Sequence, residues 1–229
     1  MSIDDVCIIV PVYNEAQTVA TTVSDLLQSF DHVVCIDDGS GDGSAELARA
    51  AGATVLRHAV NQGQGAALRT GFDYVLLHTA SSYVVTFDAD SQHLVEDARR
   101  MVDRARAEDV DVVLASRFTG CTERMPLIRE LILRTAVRFT RMTSRLKVTD
   151  THNGLRVLSR RAVQRIDLRM TRMAYASELL DAILPAGLTY VEEPVTVIYT
   201  DYSRAKGQRN SNAFNILFDL AVSRLRAAP

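Results

Sequence analysis

Residues 83–93 read YVVTFDADSQH, an apolar run that leads into two aspartates, Asp88 and Asp90, with one residue between them. The β-branched and aromatic residues predict a buried strand, so the acids come at its carboxyl end. Adjacent carboxylates repel one another unless a cation lies beside them, and Mg²⁺ or Mn²⁺ commonly shares such oxygens with substrate phosphates. Gln92 can add a carbonyl oxygen, and His93 an imidazole that Mn²⁺ accepts more readily. An isolated Asp-x-Asp is also common in strand-end turns, so the motif needs support from elsewhere in the chain.

The rest of the first half alternates short apolar strands with amphipathic helical patterns. This order predicts an α/β fold in which a mostly parallel, Rossmann-like sheet is sandwiched by helices. The predicted strands are 6–13, 32–38, 54–59, 83–90 and 111–118, and the predicted helices are 15–30, 44–52, 65–80 and 94–108.

Acidic side chains follow several of these strands. Glu15 comes after the first strand, Asp37 and Asp38 close the second, and the pair in YVVTFDADSQH closes the fourth. In open α/β sheets, ligands bind beyond the carboxyl ends of the strands. The recurrence of acids at one predicted edge therefore indicates a binding site there.

The second half is more basic than the first. From Arg117 to Arg172 there are fourteen Lys and Arg residues against four Asp and Glu residues. The predicted helix 127–145 carries arginines, Arg134 among them, beside an apolar stripe, a pattern that suits a helix lying on an anionic membrane surface. The block fits a surface that faces phosphates, nucleic acid or anionic lipid, and it fits equally well a pair of solvated helices.

Composition indicates an ordinary globular chain of 229 residues with mean hydropathy +0.01. No apolar run approaches the roughly 18 to 20 residues that span a bilayer. The N-terminus carries acids rather than the basic segment of a signal peptide. Three cysteines without metal-binding spacing favour a reducing cytoplasm.

Six stretches together resemble the family 2 glycosyltransferases with the GT-A fold. Within that family the chain is most similar to the polyprenyl-phosphate glycosyl synthases of the dolichyl-phosphate mannose synthase type, including soluble bacterial members. The resemblance implies one GT-A domain over 1–229, with a nucleotide-sugar-binding half (1–116) and an acceptor-binding, membrane-facing half (117–229) that ends in a helical extension. The stretches are VPVYNEAQTV, IDDGSGDGS, NQGQGAALRTG, FDADSQH, ASRF and DTHNGLRVLSRRA, in family order.

The resemblance also implies roles for individual residues. The nucleotide of the donor would contact Pro11, Tyr13, Glu15, Asp37, Asp38 and Asp88, and the metal would be held by Asp88, Asp90 and Gln92. The acceptor phosphate would contact Arg117, Arg129, Arg134, Arg156 and Lys206, and Asp90 and Arg117 would be the catalytic pair. The stretch NGLR, with Asn153 and Gly154, departs from the family's SGFR-like turn.

The implied reaction is an inverting, metal-dependent transfer from a UDP-sugar, such as UDP-GalNAc, UDP-GlcNAc or UDP-glucose, or from GDP-mannose, to polyprenyl phosphate. A phosphate acceptor needs no general base, because with a second pKa of about 6 it is largely dianionic at neutral pH. One alternative is transfer to a saccharide hydroxyl with Glu178 as base. Another is a non-catalytic nucleotide-sugar-binding protein. A sugar nucleotidyltransferase would need a basic Gly-rich loop that the N-terminal region lacks.

A lipid acceptor implies a cytoplasmic protein that is peripheral at the inner face of the plasma membrane. It would dock through its basic helix, through oligomerisation or on a small integral membrane partner, and no nucleic-acid partner is expected. The product would serve as a sugar donor for cell-envelope glycans.

Overall fold

The computed structural model describes residues 3–123, 146–151, 153–170 and 174–199. Seven strands form one sheet, and six helices pack against it within this part of the chain. The strands are β1 (Ile3–Val12), β2 (Phe30–Asp37), β3 (Thr54–Arg57), β4 (Tyr83–Thr86), β5 (Val112–Glu123), β6 (Arg156–Ser159) and β7 (Tyr190–Ile198). The helices are α1 (Val19–Leu27), α2 (Ser44–Ala50), α3 (Gln64–His78), α4 (Val95–Glu108), α5 (Arg160–Arg165) and α6 (Tyr175–Ile183).

The strand order is β3-β2-β1-β4-β6-β5-β7. β1 pairs in parallel with β2 and β4, β2 with β3, and β5 with β7, whereas β6 is antiparallel to both of its neighbours. Six strands therefore end at the same edge of the sheet, and β6 begins there. The predicted mostly parallel sheet is confirmed, with one reversed strand.

Residues alternate between the two faces of each strand, and the sheet separates two hydrophobic cores. The alternation is clearest in β1, where Val6 and Ile8 face one core and Cys7 and Ile9 face the other. Helices α1, α2 and α4 cover the first face, and α3, α5 and α6 cover the second. The predicted helical layers on both faces are thus confirmed for the described residues.

Two predicted boundaries differ from the structure. The first helix begins at Val19 rather than at Glu15, and the backbone N–H groups of Glu15 and Ala16 bind the side chains of Ser44 and Asp42. β5 extends past Phe118 to residue 123, with a shift of its register against β7.

Some predicted features lie outside the described residues. These are the basic helix 127–145, the final helix of the extension, and the residues Arg129, Arg134 and Lys206. Among the helices that are described, none is both long and apolar enough to cross a bilayer.

Candidate functional site

A cleft of about 450 Å³ opens at the edge where the six strands end. Eight of the predicted site residues lie on its wall although they come from segments far apart in the chain. These are Pro11, Tyr13, Glu15, Asp38, Asp88, Asp90, Gln92 and Arg117. The cleft therefore joins the acids after β1, β2 and β4 with an arginine of β5.

The two aspartates after β4 lie in a loop whose conformation is fixed by local hydrogen bonds and by a hydrogen bond to β7. Ser91, between Asp90 and Gln92, has a left-handed backbone with φ 58°, an uncommon conformation for a residue other than glycine. The Gln92 carbonyl accepts a hydrogen bond from the Ile198 N–H of β7 at 3.0 Å, and the Gln92 N–H donates to Asp90 Oδ1 at 3.1 Å. These contacts fix a turn that presents both carboxylates to the cleft.

Asp88 is the more firmly held of the two acids. Gln64 Nε2 donates to Asp88 Oδ1 at 3.0 Å, and His93 Nε2 lies 3.5 Å from Asp88 Oδ2. Burial alone would raise the pKa of Asp88, but the hydrogen bond and charge of His93, the charge of Arg156 and the Gln64 bond outweigh it and lower that pKa. Asp88 is therefore ionised throughout the neutral range.

Asp90 has the opposite electrostatic setting. Burial and the negative charge of Asp88 raise the pKa of Asp90 to about 6, and Glu15 adds to the repulsion. Two carboxylates of one cleft with pKa values displaced in opposite directions are a common feature of functional sites. A divalent cation beside the pair would relieve the repulsion between the two carboxylates.

The oxygen atoms of these side chains fit a metal ion whose coordination is completed by the substrate. In the described ranges, no group of three or more His, Cys, Asp or Glu side chains is arranged to enclose a metal ion. Mg²⁺ and Mn²⁺ do not need such an enclosure, because they are commonly bound by one or two carboxylates together with waters and substrate phosphates. Asp88 and Asp90, with the amide oxygen of Gln92, would supply oxygen ligands of this kind, and all three residues line the cleft.

The loops after β1 and β2 are joined to each other by hydrogen bonds. The Asn14 N–H donates to Ser40 Oγ at 2.9 Å, and the Glu15 N–H donates to Ser44 Oγ at 2.8 Å. Asp42 accepts from the Ala16 N–H at 3.0 Å. Serine and aspartate side chains of IDDGSGDGS thus hold the residues that follow the first strand.

Asp38 lies in the cleft wall and organises the loop that leads into α3. Its carboxylate accepts hydrogen bonds from the Gln62 N–H at 2.9 Å and the Gly63 N–H at 2.7 Å. His58 Nδ1 lies 2.8 Å from Asp38 Oδ1, and His58 Nε2 lies 2.9 Å from Thr70 Oγ1. Asp38 therefore shapes this wall itself, and its contact with the donor stays a prediction.

Asp37 does not reach the cleft. It is fully buried, its Oδ2 lies 3.1 Å from Arg57 Nε, and its Oδ1 accepts from the Ser40 N–H at 3.3 Å. Its side chain points away from the wall because it is the last residue of β2, adjacent to Asp38, and successive side chains alternate. The structure thus separates the two neighbouring acids that the sequence grouped together.

Arg117 lines the cleft from β5 and belongs to a buried polar network. Its Nε donates to Asp150 Oδ2 at 2.6 Å, and its Nη1 donates to the Tyr199 hydroxyl at 3.0 Å. The side chain is 6% exposed. The Asp150 carboxylate holds the guanidinium in one orientation on the wall that it shares with Asp88 and Asp90.

Arg156 and Glu178 do not line the cleft. Arg156 is 3% exposed on β6, does not line the cleft, and its guanidinium carbon lies 5.6 Å from the centre of the Tyr175 ring. Glu178 on α6 accepts hydrogen bonds from the N–H groups of Arg169 at 3.0 Å and Met170 at 2.8 Å. Glu178 is therefore a structural helix acid that holds the segment before α6, and it is not in the cleft wall.

Sequence reasoning missed part of the wall. Asn61, Gly63 and Gln64 line the cleft, and they belong to NQGQGAALRTG, which departs from a dinucleotide-binding fingerprint at Leu68. Gly154 also lines it. The sequence does show polar, Gly-containing segments before α3 and β6, and such segments are common in binding sites. Which side chains they contact could not be predicted, because that depends on the three-dimensional fold.

Comparison with known proteins places the chain in a family. The model of glycosyl transferase family 2 matches residues 7–167. A UDP-N-acetylglucosamine–dolichyl-phosphate N-acetylglucosaminyltransferase of Methanococcus voltae is 27% identical over 240 residues, 95% of this chain and 95% of that protein. A polyprenol monophosphomannose synthase of Mycolicibacterium smegmatis is 27% identical over 93% of this chain and 84% of its own length.

The fold matches solved glycosyltransferase structures. The crystal structure of glucosyl-3-phosphoglycerate synthase from Mycobacterium tuberculosis in complex with UDP superposes with a TM-score of 0.69 at 20% identity, covering 85% of this chain and 71% of that one. The predicted GT-A fold and the predicted class of enzyme, a glycosyltransferase, are confirmed. The chain belongs to glycosyl transferase family 2.

Proposed function

We propose that the protein transfers a sugar from a nucleotide-sugar to polyprenyl phosphate in a reaction that depends on Mg²⁺ or Mn²⁺. The observation that carries the proposal is one cleft that is lined by both acidic and cationic side chains. The carboxylates of Asp88 and Asp90 line this cleft together with the cationic Arg117, and Tyr13 and Asp38 also line it. Such a cleft can hold a donor diphosphate through a metal and an acceptor phosphate through a cation.

The donor would lie along the wall built by the loops after β1, β2 and β4. Tyr13 follows β1 directly, is 45% exposed and lines the cleft, where its ring would contact a nucleobase. The Asp38 loop and Glu15 would face the ribose, and Asp88, Asp90 and Gln92 would hold the metal on the diphosphate. When bound, the metal would neutralise the charge that develops on the departing nucleotide diphosphate.

The acceptor phosphate would be received by Arg117. A guanidinium that Asp150 and Tyr199 already orient loses little further freedom when it binds a phosphate. It would place the phosphate oxygen on the side of the anomeric carbon opposite the leaving diphosphate, so transfer would invert that centre. The relatives named above act on dolichyl phosphate or make a polyprenol monophosphomannose, which supports a lipid phosphate as acceptor.

No general base is required in this scheme, and Glu178 is not placed to act as one. Its carboxylate accepts backbone N–H groups of Arg169 and Met170. We expect Glu178→Gln to retain kcat within about threefold, since a positioned base would contribute at least about 100-fold. Steady-state transfer kinetics measure this, and a drop of about 100-fold at unchanged donor affinity would favour the hydroxyl-acceptor alternative.

The proposed acceptor also sets the location. We propose that the protein works at the cytoplasmic face of the membrane as a peripheral protein, either alone or with a small integral membrane partner. Each Lys or Arg close to an anionic surface would contribute on the order of 1 kcal/mol to docking.

A UDP-linked hexose or N-acetylhexosamine is the donor we favour over GDP-mannose. The Methanococcus voltae relative is named for UDP-N-acetylglucosamine, and glucosyl-3-phosphoglycerate synthase was crystallised with Mg²⁺ and UDP and with Mn²⁺ and UDP-glucose. The mycobacterial relative is named for mannose transfer, so GDP-mannose belongs in every test.

A panel of labelled UDP- and GDP-sugars tests the proposal. Each donor is incubated with the protein, a polyprenyl-phosphate extract and Mg²⁺ or Mn²⁺, and organic-soluble label is counted. We expect one donor to give a lipid product that a chelator abolishes and added metal restores. Metal-independent transfer would contradict the metal assignment, and label found only in soluble saccharide would contradict the acceptor.

A further inference from the structure

We propose that Glu192 of β7 is a positioning residue for Arg117, the arginine that would receive the acceptor phosphate. Glu192 is not part of the cleft lining, and it acts through Thr149 and Asp150. The inference rests on the proposed function, because it assigns the means by which the acceptor-binding arginine is held in place.

Arg117 lies in a part of β5 where the pairing with β7 is irregular. The two strands are in regular register from Val112 to Ser116, and the register then shifts before Cys121. The register partner of Ser116 is Pro194, which has no N–H group to donate to a neighbouring strand. The orientation of Arg117 therefore depends on side-chain contacts more than on the strand ladder.

Asp150 supplies the contact that holds Arg117. Its Oδ2 accepts hydrogen bonds from Arg117 Nε at 2.6 Å and from the backbone N–H of Arg117 at 3.2 Å. Both residues are buried. Because one carboxylate oxygen binds both the backbone and the guanidinium of Arg117, the orientation of the guanidinium depends on where Asp150 lies.

Glu192 fixes the place of Asp150. Asp150 belongs to the described segment 146–151, which forms neither helix nor strand. Glu192 Oε1 accepts hydrogen bonds from the Thr149 N–H at 2.7 Å and from the Asp150 N–H at 3.3 Å. Two successive backbone N–H groups thus bind one carboxylate, and this ties the segment to β7 at the residue that holds Arg117.

Two hydroxyl groups tie the same carboxylate to β5. Thr149 Oγ1 lies 3.1 Å from each of the two Glu192 carboxylate oxygens, and Ser116 Oγ lies 2.5 Å from Thr149 Oγ1. Because the Thr149 hydroxyl donates to the carboxylate, the Ser116 hydroxyl donates to Thr149. Ser116 directly precedes Arg117, so Glu192 is connected to β5 at two successive residues. Buried polar networks of this kind make the groups that they join more rigid.

Glu193, the next residue of β7, has different partners. Its Oε2 lies 2.7 Å from Arg104 Nη1, and its Oε1 lies 3.6 Å from Arg100 Nε. Both arginines belong to α4, on the other side of the strand, because successive side chains alternate. Glu193 therefore offers a matched control, the same residue type in the same strand with contacts that join β7 to α4.

Glu192→Met tests the inference. Methionine is of similar length but lacks both carboxylate oxygens, so the N–H groups of Thr149 and Asp150 lose their acceptor and Arg117 can shift. A shift of about 1 Å at a functional group can cost on the order of 100-fold. We expect the KM for polyprenyl phosphate to rise about 10- to 100-fold while the affinity for UDP with Mn²⁺ stays within about twofold. Steady-state transfer at saturating donor, and calorimetric titration with UDP and with GDP, measure these effects.

Two control variants separate hydrogen bonding from charge and from stability. Glu192→Gln is uncharged like Glu192→Met, but its amide oxygen can still accept both N–H groups, so we expect an acceptor KM within about threefold of wild type. Glu193→Met removes the ion pairs to Arg104 and Arg100. It should lower the midpoint of thermal unfolding and leave the acceptor KM within about twofold.

Glu192→Asp covers the case in which the methionine variant does not fold. Aspartate is shorter, so its carboxylate cannot reach both N–H groups, and the acceptor KM should rise several-fold. A wild-type acceptor KM in a folded Glu192→Met or Glu192→Asp variant would overturn the inference. An equal rise in Glu193→Met, or a matching loss of UDP affinity, would also overturn it. If the wild-type protein transfers no sugar to polyprenyl phosphate, the proposed function itself fails and the inference falls with it.

Discussion

Asp90→Asn is expected to abolish metal-dependent binding of the nucleotide donor and to lower sugar transfer on the order of 1000-fold. Asparagine keeps the shape of the side chain but removes one of the two negative charges that would hold the metal. A bound metal ion is worth several kcal/mol of charge stabilisation, and each step of about 1.4 kcal/mol is tenfold in rate. Calorimetric titration of UDP with and without Mn²⁺, together with the transfer assay, measures both effects.

The same variant should not be less stable than the wild-type protein without metal. The pKa of Asp90 is raised to about 6 in the folded protein from an ordinary 3.8, so its ionised form is disfavoured by folding at neutral pH. Asparagine removes that penalty, and the midpoint of thermal unfolding in a chelator should be equal or higher. Full activity of Asp90→Asn, or wild-type activity in a chelator, would contradict the metal assignment.

Gly154→Ala is expected to impair donor binding as severely as the loss of Asp88 itself. Its methyl group would lie 1.9 Å from Asp88 Oδ2, which is far inside contact distance, so the carboxylate must move. A displacement of about 1 Å at a functional group can cost on the order of 100-fold. The colliding atoms belong to a side chain, so the backbone need not shift and the fold should persist.

Gly41→Ala is the matched control for this change. Gly41 lies in the loop between β2 and α2, and a Cβ atom there meets no other atom within 4 Å. We expect Gly41→Ala to bind UDP and Mn²⁺ like the wild-type protein and Gly154→Ala to fail to do so, with both variants unfolding cooperatively. Equal nucleotide affinities for the two variants would show that Asp88 is not needed where the structure places it.

Much of the fold followed from local pattern. Each predicted strand of the first half ended in acids or a Gly-containing turn, and parallel strands bring such ends to one edge. Glu15, Asp38 and Asp88 could therefore be grouped without coordinates, although they are separated along the chain. The continuous apolar run from Val6 to Val10 predicted a strand that is buried on both faces, and its side chains do enter both cores.

The remainder depended on the direction of strands and on the face that a side chain takes. Nothing in DTHNGLRVLSRRA shows that its strand runs against the rest, and this reversal is what places Gly154 at the cleft and Arg156 beneath it. Asp37 and Asp38 are alike in the sequence, but neighbours in a strand face opposite sides. The hydrogen bond from Gln64 to Asp88 could not be predicted from the sequence either. It joins α3 to the loop after β4, and these segments are far apart in the chain.

The most direct test of the central claim compares two acceptors that differ by one phosphate. The protein is incubated with Mn²⁺ and labelled UDP- and GDP-sugars, in detergent, with either purified polyprenyl phosphate or the matching unphosphorylated polyprenol. We predict that one donor labels polyprenyl phosphate, that polyprenol receives no label, and that Asp90→Asn is inactive with both. Transfer of label to polyprenol, or to a soluble saccharide alone, would contradict the account.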